Sequence, residues 1–194
     1  MKIRGFQSLT LTDYPGKTAA IVFTQGCNFS CPFCHNHQLL EQDYASLMPE
    51  TVLMDGLHQR RGLLDGLVIT GGEPTLQADL VSFAEKVHSL GLLIKLDTNG
   101  SRPGVIRALL DRDLVDYIAM DIKAPWARYR QLAGKPVSVQ RIRQSVELIA
   151  ASGVDHEFRT TVVTPLLDEE DIELIRESLP RTSLYKRQRL IPNS

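Results

Sequence analysis

The chain has 194 residues, 43% of them hydrophobic, enough to bury a sizeable core without disulfide or metal staples. Its formal net charge of -1 excludes a broad basic field for nucleic acid or anionic membrane, and no apolar run reaches the length of a bilayer-spanning helix. With no basic-plus-apolar leader visible, the expectation is a single domain over residues 1–194 in a reducing, cytoplasmic setting, without nucleic-acid or membrane partners.

Strand and helix signals alternate along the chain. Ala19 to Thr24 predicts the first strand, and Pro49 then opens a helix with Val52, Leu53 and Leu57 on one face. Leu67 to Thr70 is the second strand; Leu80, Ala84, Val87 and Leu90 line the next helix, which Gly91 stops. Leu92 to Asp97 follows as a strand, and Pro103 starts a helix carrying Val105, Ile106 and Leu109. Tyr117 to Ile122 is the fourth strand, and Val139, Ile142, Val146 and Ile149 form a helical stripe before Gly153. Glu157 to Val163 is the fifth, after which Asp168 and Asp171 cap a helix containing Ile172 and Ile175. Leu184 to Ile191 closes the series; Arg181, Lys186, Arg187 and Arg189, interleaved with Leu184 and Leu190, read as the solvated side of an edge strand. Strands alternating with helices imply an α/β fold with a mostly parallel sheet and right-handed crossovers. A closed eight-unit barrel needs about 250 residues, so the expected architecture is an open, partial (β/α)6 barrel.

Cys27, Cys31 and Cys34 are the only cysteines, spaced C-x3-C-x2-C just after the first strand. Iron–sulfur cubanes are usually held by four cysteines, so three would leave one iron open to a substrate or cofactor. A structural zinc site closed by His35 or His37 is the alternative reading of the same residues.

The other unusual residues fall on the same rim, because active sites of such folds sit at the carboxyl ends of the strands. Gly71-Gly72-Glu73-Pro74 follows the second strand; it reads either as a tight turn or as glycines letting a ligand approach while Glu73 takes up an ammonium group. Asp97-Thr98-Asn99-Gly100 ends the third, where Asn99-Gly100 is ordinary turn chemistry but Asp97 closes an apolar run. Asp121 and Lys123 end the fourth and read either as an exposed ion pair of little worth or as ligand contacts. Arg159, in the fifth, reads as a surface residue unless the ligand brings a carboxylate, which would give Lys123 and Arg159 a reason.

The cysteine motif with Phe33 directly before its third cysteine, followed by Gly-Gly-Glu-Pro, resembles the radical S-adenosylmethionine superfamily. The runs Arg4-Gly5-Phe6, Asp13-Tyr14-Pro15-Gly16, Cys34-His35-Asn36, Met120-Asp121-Ile122-Lys123 and Phe158-Arg159-Thr160-Thr161-Val162-Val163 are similar to those of glycyl-radical-enzyme activases, most of all the activases of anaerobic ribonucleoside-triphosphate reductase. The resemblance implies an oxidoreductase in which a [4Fe-4S] cluster on Cys27, Cys31 and Cys34 binds S-adenosyl-L-methionine at its open iron. Reductive cleavage then gives a radical that takes a hydrogen from a glycine of the partner enzyme. It further implies that Phe33, Cys34 and His35 lie along the adenine, that Gly71, Gly72 and Glu73 meet the methionyl amine, and that Asp121 and Lys123 make a second cofactor contact, with Asp97 and Arg159 as further polar positions of the pocket. The implied partners are that glycyl radical enzyme and an electron donor such as flavodoxin or ferredoxin.

The alternatives within the resemblance are an activase of pyruvate formate-lyase type and a small-molecule enzyme such as 7-carboxy-7-deazaguanine synthase. Two departures stand out. In pyruvate formate-lyase activase relatives a His follows the sixth strand, where this sequence has Pro192-Asn193-Ser194; and no cysteine follows Cys34, which disfavours activases with extra clusters. Few residues follow the sixth strand, so the barrel mouth is expected to stay open to a loop of the partner.

Overall fold

A computed structural model describes residues 1–40 and 46–189. Among them a seven-stranded sheet runs in sequential order: β1 (Ile3–Thr10), β2 (Ala19–Thr24), β3 (Gly66–Gly71), β4 (Leu93–Thr98), β5 (Tyr117–Asp121), β6 (Asp155–Val162) and β7 (Leu184–Arg189). β1 is antiparallel to β2 and every later pair is parallel, with β1 and β7 as the two unjoined ends. This is the open partial barrel expected, with one strand more. β1 escaped the sequence reading because its residues are mostly half-exposed and include Arg4, Gln7 and Ser8, so no apolar run marks it. The expected last two residues of the final strand, and Pro192-Asn193-Ser194, lie outside the described residues.

The helices α1 (Glu50–Gln59), α2 (Leu80–Ser89), α3 (Pro103–Leu110), α4 (Tyr129–Ala133), α5 (Val139–Ala151) and α6 (Glu169–Glu177) connect the strands. Five lie where their stripes put them; α4 is too short to have shown a period. Leu53, Leu57, Phe83, Ala84, Ile106, Ile149 and Ile175 are wholly buried in one core with the outward side chains of the sheet. Asp168 caps α6 through a capping box with Asp171. No helix among the described residues is long and apolar enough to cross a membrane.

The inner face of the sheet is divided. Low in the barrel Tyr14, Ile21, Val68, Tyr117 and Ala119 form a second, smaller core, with the Tyr14 and Tyr117 rings 6.0 Å apart. Above it the two-residue period of the strands turns polar side chains inward, so Lys95 and Asp97, Asp121, Glu157 and Arg159, and Gln188 come from four neighbouring strands. The register sets Asp97 opposite Ala119, and Asp121 opposite Arg159, which in turn stands opposite Lys186. A parallel strand that reads as apolar thus carries its charges on alternate positions toward the cavity.

Truncating the core and removing the cap test this layering. Phe83→Ala should cost about 3–5 kcal/mol and Asp168→Ala about 1 kcal/mol, read by denaturant unfolding.

Candidate active site

The cysteine loop leaves β2 through Gln25 and Gly26, whose φ of 92° sends the chain back over the strand ends. The Gly26 amide donates to the Leu39 carbonyl at 2.8 Å, closing the loop, and the Gly26 carbonyl accepts from the Glu73 amide at 2.9 Å. A side chain at Gly72 would overlap that carbonyl, and one at Gly71 (φ 115°) would overlap the backbone of Thr24. The two glycines are therefore required, first, by the approach of one stretch of backbone to another.

Glu73 is 1% exposed. Its Oε1 accepts from the Thr75 hydroxyl, from the Thr75 amide at 3.0 Å and from the Thr98 hydroxyl at 2.8 Å, while its Oε2 accepts from the Asn99 amide at 2.7 Å. Burial raises its pKa, although all four donors pull the other way. Oε1 is thus saturated by the chain, and Oε2, with one donor, keeps a lone pair for a ligand.

Asn99 carries the link to the cysteines. Its side-chain amide donates to Asn28 Oδ1 at 3.0 Å and lies 3.9 Å from Cys27 Sγ, which also accepts from the Phe29 amide at 3.3 Å. Asn28 in turn donates to the Ser101 hydroxyl at 2.9 Å. Turn chemistry alone predicted none of this. An Asn that satisfies the cysteine loop and a buried carboxylate together is found only in three dimensions.

Cys31 is buried, Cys27 and Cys34 half-buried. Burial pushes the Cys27 thiol up to about 11 and raises that of Cys31, partly offset at both by the charge of Lys123. Among the described residues no three His, Cys, Asp or Glu side chains converge as ligands of one metal ion. Soft sulfur donors that border one cavity together, with Cys27 held by amide hydrogen bonds, fit an iron–sulfur cubane, whose cysteines ligate different irons.

Across the cavity the charged residues form a chain. Lys95, 2% exposed, pairs with Asp97; Arg159 Nη2 lies 3.4 Å from Asp97 and its Nε donates to Asp121 at 2.9 Å; Lys123 Nζ donates to Asp121 at 3.0 Å. Glu157 continues it, 4.0 Å from Arg159 and 2.5 Å from Lys186. Arg159, 12% exposed, is no surface residue, and the Asp121–Lys123 pair is not an exposed one. Burial alone would raise the Asp121 pKa, yet the charges of Arg159 and Lys123 outweigh it and bring it down to about 2. Lys123 and Arg159 are correspondingly held protonated, against burial, by Asp121.

One cavity of about 440 Å³ is lined by Cys27, Cys31, Phe33, Cys34 and His35 at one wall, Gly71, Gly72 and Glu73 beside them, and Asp97, Asp121, Lys123 and Arg159 opposite, whereas His37 does not line it. Sequence reasoning missed Gln7, Thr70, Thr161 and Gln188, which also line it. It also missed Lys95, whose signal was a lone cation inside the run Leu92-Leu93-Ile94-Lys95-Leu96.

The model of the family described as Radical SAM superfamily matches residues 21–179. A putative glycyl-radical enzyme activating enzyme of Methanocaldococcus jannaschii is 34% identical over 196 residues, 98% of this chain and 80% of that protein. The pyruvate formate-lyase 1-activating enzyme of Escherichia coli K12 is 31% identical over 181 residues, 88% of this chain and 71% of that protein. Among solved structures, native anSMEcpe with bound AdoMet superposes with a TM-score of 0.66 at 19% identity; the match covers 86% of this chain and 49% of that one, and is a likeness of fold.

The low pKa of Asp121 gives a pH prediction. A carboxylate lowered to about 2 contributes stability that is fully present above its unfolded pKa of about 3.9 and is lost as pH falls toward 2, in all roughly 2 kcal/mol. Unfolding midpoints measured from pH 5 to pH 2 should fall more steeply for the parent than for Asp121→Asn, which is the less stable of the two at neutral pH.

Proposed function

The chain belongs to the radical S-adenosylmethionine superfamily, and from that premise we propose that it is a glycyl-radical-enzyme activase whose partner is anaerobic ribonucleoside-triphosphate reductase. The observation that carries the site assignment is that three thiols, an acceptor carboxylate and a pair of restrained cations border a single cavity. The superfamily works with a [4Fe-4S] cluster and S-adenosylmethionine, and similarity to two activating enzymes over most of the chain supports the activase reading.

Cys27, Cys31 and Cys34 would hold the cluster, leaving one iron for the methionyl end of S-adenosylmethionine. When bound, cluster and cofactor supply one-electron cleavage of a carbon–sulfur bond and thereby the hydrogen-abstracting species. The chain's own work is grip and orientation. Glu73 Oε2 offers its lone pair to the methionyl ammonium, beside the open backbone of Gly71 and Gly72. Lys123 and Arg159 face the carboxylate or ribose as cations that cannot release their protons at neutral pH. Asp121 and Asp97 keep both heads in place, so the charge is positioned before the ligand arrives. Phe33, 7% exposed, gives an apolar surface, and the exposed His35 a polar one, along the adenine. The reducing electron would come from a flavodoxin or ferredoxin, and the partner's glycine segment would enter over the rim formed by residues 34–36 and 97–100.

Replacing any one of Cys27, Cys31 or Cys34 by Ala should abolish iron retention and cofactor cleavage, with the circular dichroism of the strand–helix core preserved. Lys123→Ala should weaken S-adenosylmethionine binding by about 1.5–3 kcal/mol, as expected for a lost charged hydrogen bond, at unchanged iron content; equal affinity would remove Lys123 from the cofactor site. The deciding experiment is anaerobic reconstitution with the reductase deuterated at glycine α-carbons. We expect a glycyl radical by electron paramagnetic resonance and deuterium in 5′-deoxyadenosine. Label arriving from pyruvate formate-lyase instead would change the partner, and label arriving only from a small metabolite would replace the activase reading.

A further inference from the structure

Residues 124–138, between β5 and α5, form an arm that reaches two parts of the site. Its centre is Tyr129, 0% exposed although it carries a hydroxyl. That hydroxyl accepts from the Lys123 amide at 3.4 Å and donates to the Asp121 carbonyl at 3.3 Å, so it sits on the backbone of the strand end whose side chains are the site's charged pair. The ring stacks on Trp126 at 5.6 Å and 24°, and meets Phe29 edge-on at 6.5 Å and 78°. Phe29 stands between Cys27 and Cys31. One turn further on, the Ala133 carbonyl accepts from the Ser30 amide at 2.8 Å. Gly134, with φ at 69°, then passes so close that any side chain would overlap the Ser30 carbonyl.

We propose that Tyr129 is a positioning residue: its hydroxyl fixes the Asp121–Lys123 strand end and its ring the cysteine loop, so that it sets the span across which the cofactor is gripped. The proposal rests on the assignment of the cysteines to the cluster and of Lys123 to S-adenosylmethionine. The two ends of the arm are chemically separable. Removing the hydroxyl frees the backbone of Asp121 and Lys123 while leaving the ring on Phe29. A methyl at residue 134 displaces Ser30 while leaving the hydroxyl in place.

Tyr129→Phe and Gly134→Ala test this as a crossed pair. Hydrogen exchange in the metal-free protein should show Tyr129→Phe losing protection at the Lys123 amide but not at the Ser30 amide, and Gly134→Ala the reverse. In the reconstituted protein Tyr129→Phe should keep its iron content and bind S-adenosylmethionine about tenfold more weakly, whereas Gly134→Ala should lose iron. Unchanged Lys123 protection or unchanged affinity in Tyr129→Phe would overturn the proposal, as would loss of protection at both amides in both variants, the pattern of a merely structural role. If the parent itself failed to bind S-adenosylmethionine, the reading of the site would fall, and the exchange measurement would still decide whether Tyr129 sets the span.

Discussion

Three stretches of backbone must meet at the mouth of this barrel, and the carboxylate of Glu73 is where they are tied. Oxygens that are buried need donors, and Glu73 draws them from its own turn through Thr75 and from the end of β4 through Thr98 and Asn99. Asn99 passes the constraint to Asn28 and toward Cys27, while the Glu73 amide holds the carbonyl of Gly26 at the start of the same loop. The cysteine loop is thus fastened from both sides of one residue. Exchanging Glu73 for Gln would place an amide NH₂ among donors, so the rim depends on the acceptor chemistry as well as the shape of this side chain.

The opposite wall is governed by charge. Burying ionised groups costs several kcal/mol each unless partners compensate, and here each carboxylate has more than one cation: Asp97 has Lys95 and Arg159, Asp121 has Lys123 and Arg159, Glu157 has Lys186 and Arg159. Of these groups Asp97, Asp121, Lys123 and Arg159 line the cavity, two carboxylates against two cations. Lys123 and Arg159 are held by those carboxylates before a ligand arrives, which spares reorganisation when it binds.

Much of this was legible in the sequence because it followed from local rules. The parallel strands announced themselves as apolar runs, the helices by their stripes and by Pro103, Gly91 and the Asp168–Asp171 cap, and the rim residues by being polar where such runs end. β1 was not legible, since a half-exposed edge strand needs no apolar run, and α4 was too short for a period. The roles of Asn99, Lys95 and Tyr129 were equally hidden. Asn99 looked like a turn residue and Tyr129 fell in no motif, and only the folded chain tells that one joins Cys27 to Glu73 and that the other touches Lys123 and Phe29. Gly71 and Gly72 were found for a partly different reason from the one that requires them, the approach of chain to chain.

Sheet order that repeats chain order has a consequence for how the site comes into being during synthesis. As the chain emerges from its amino end, β3 can seat the cysteine loop before any of the charged wall exists. β4 and β5 then arrive already carrying their own counterions two positions away, Lys95 for Asp97 and Lys123 for Asp121. Arg159, on β6, comes later and bridges the two self-neutralised strands. The charged wall therefore never has to hold an unaccompanied aspartate while it waits for the rest of the chain.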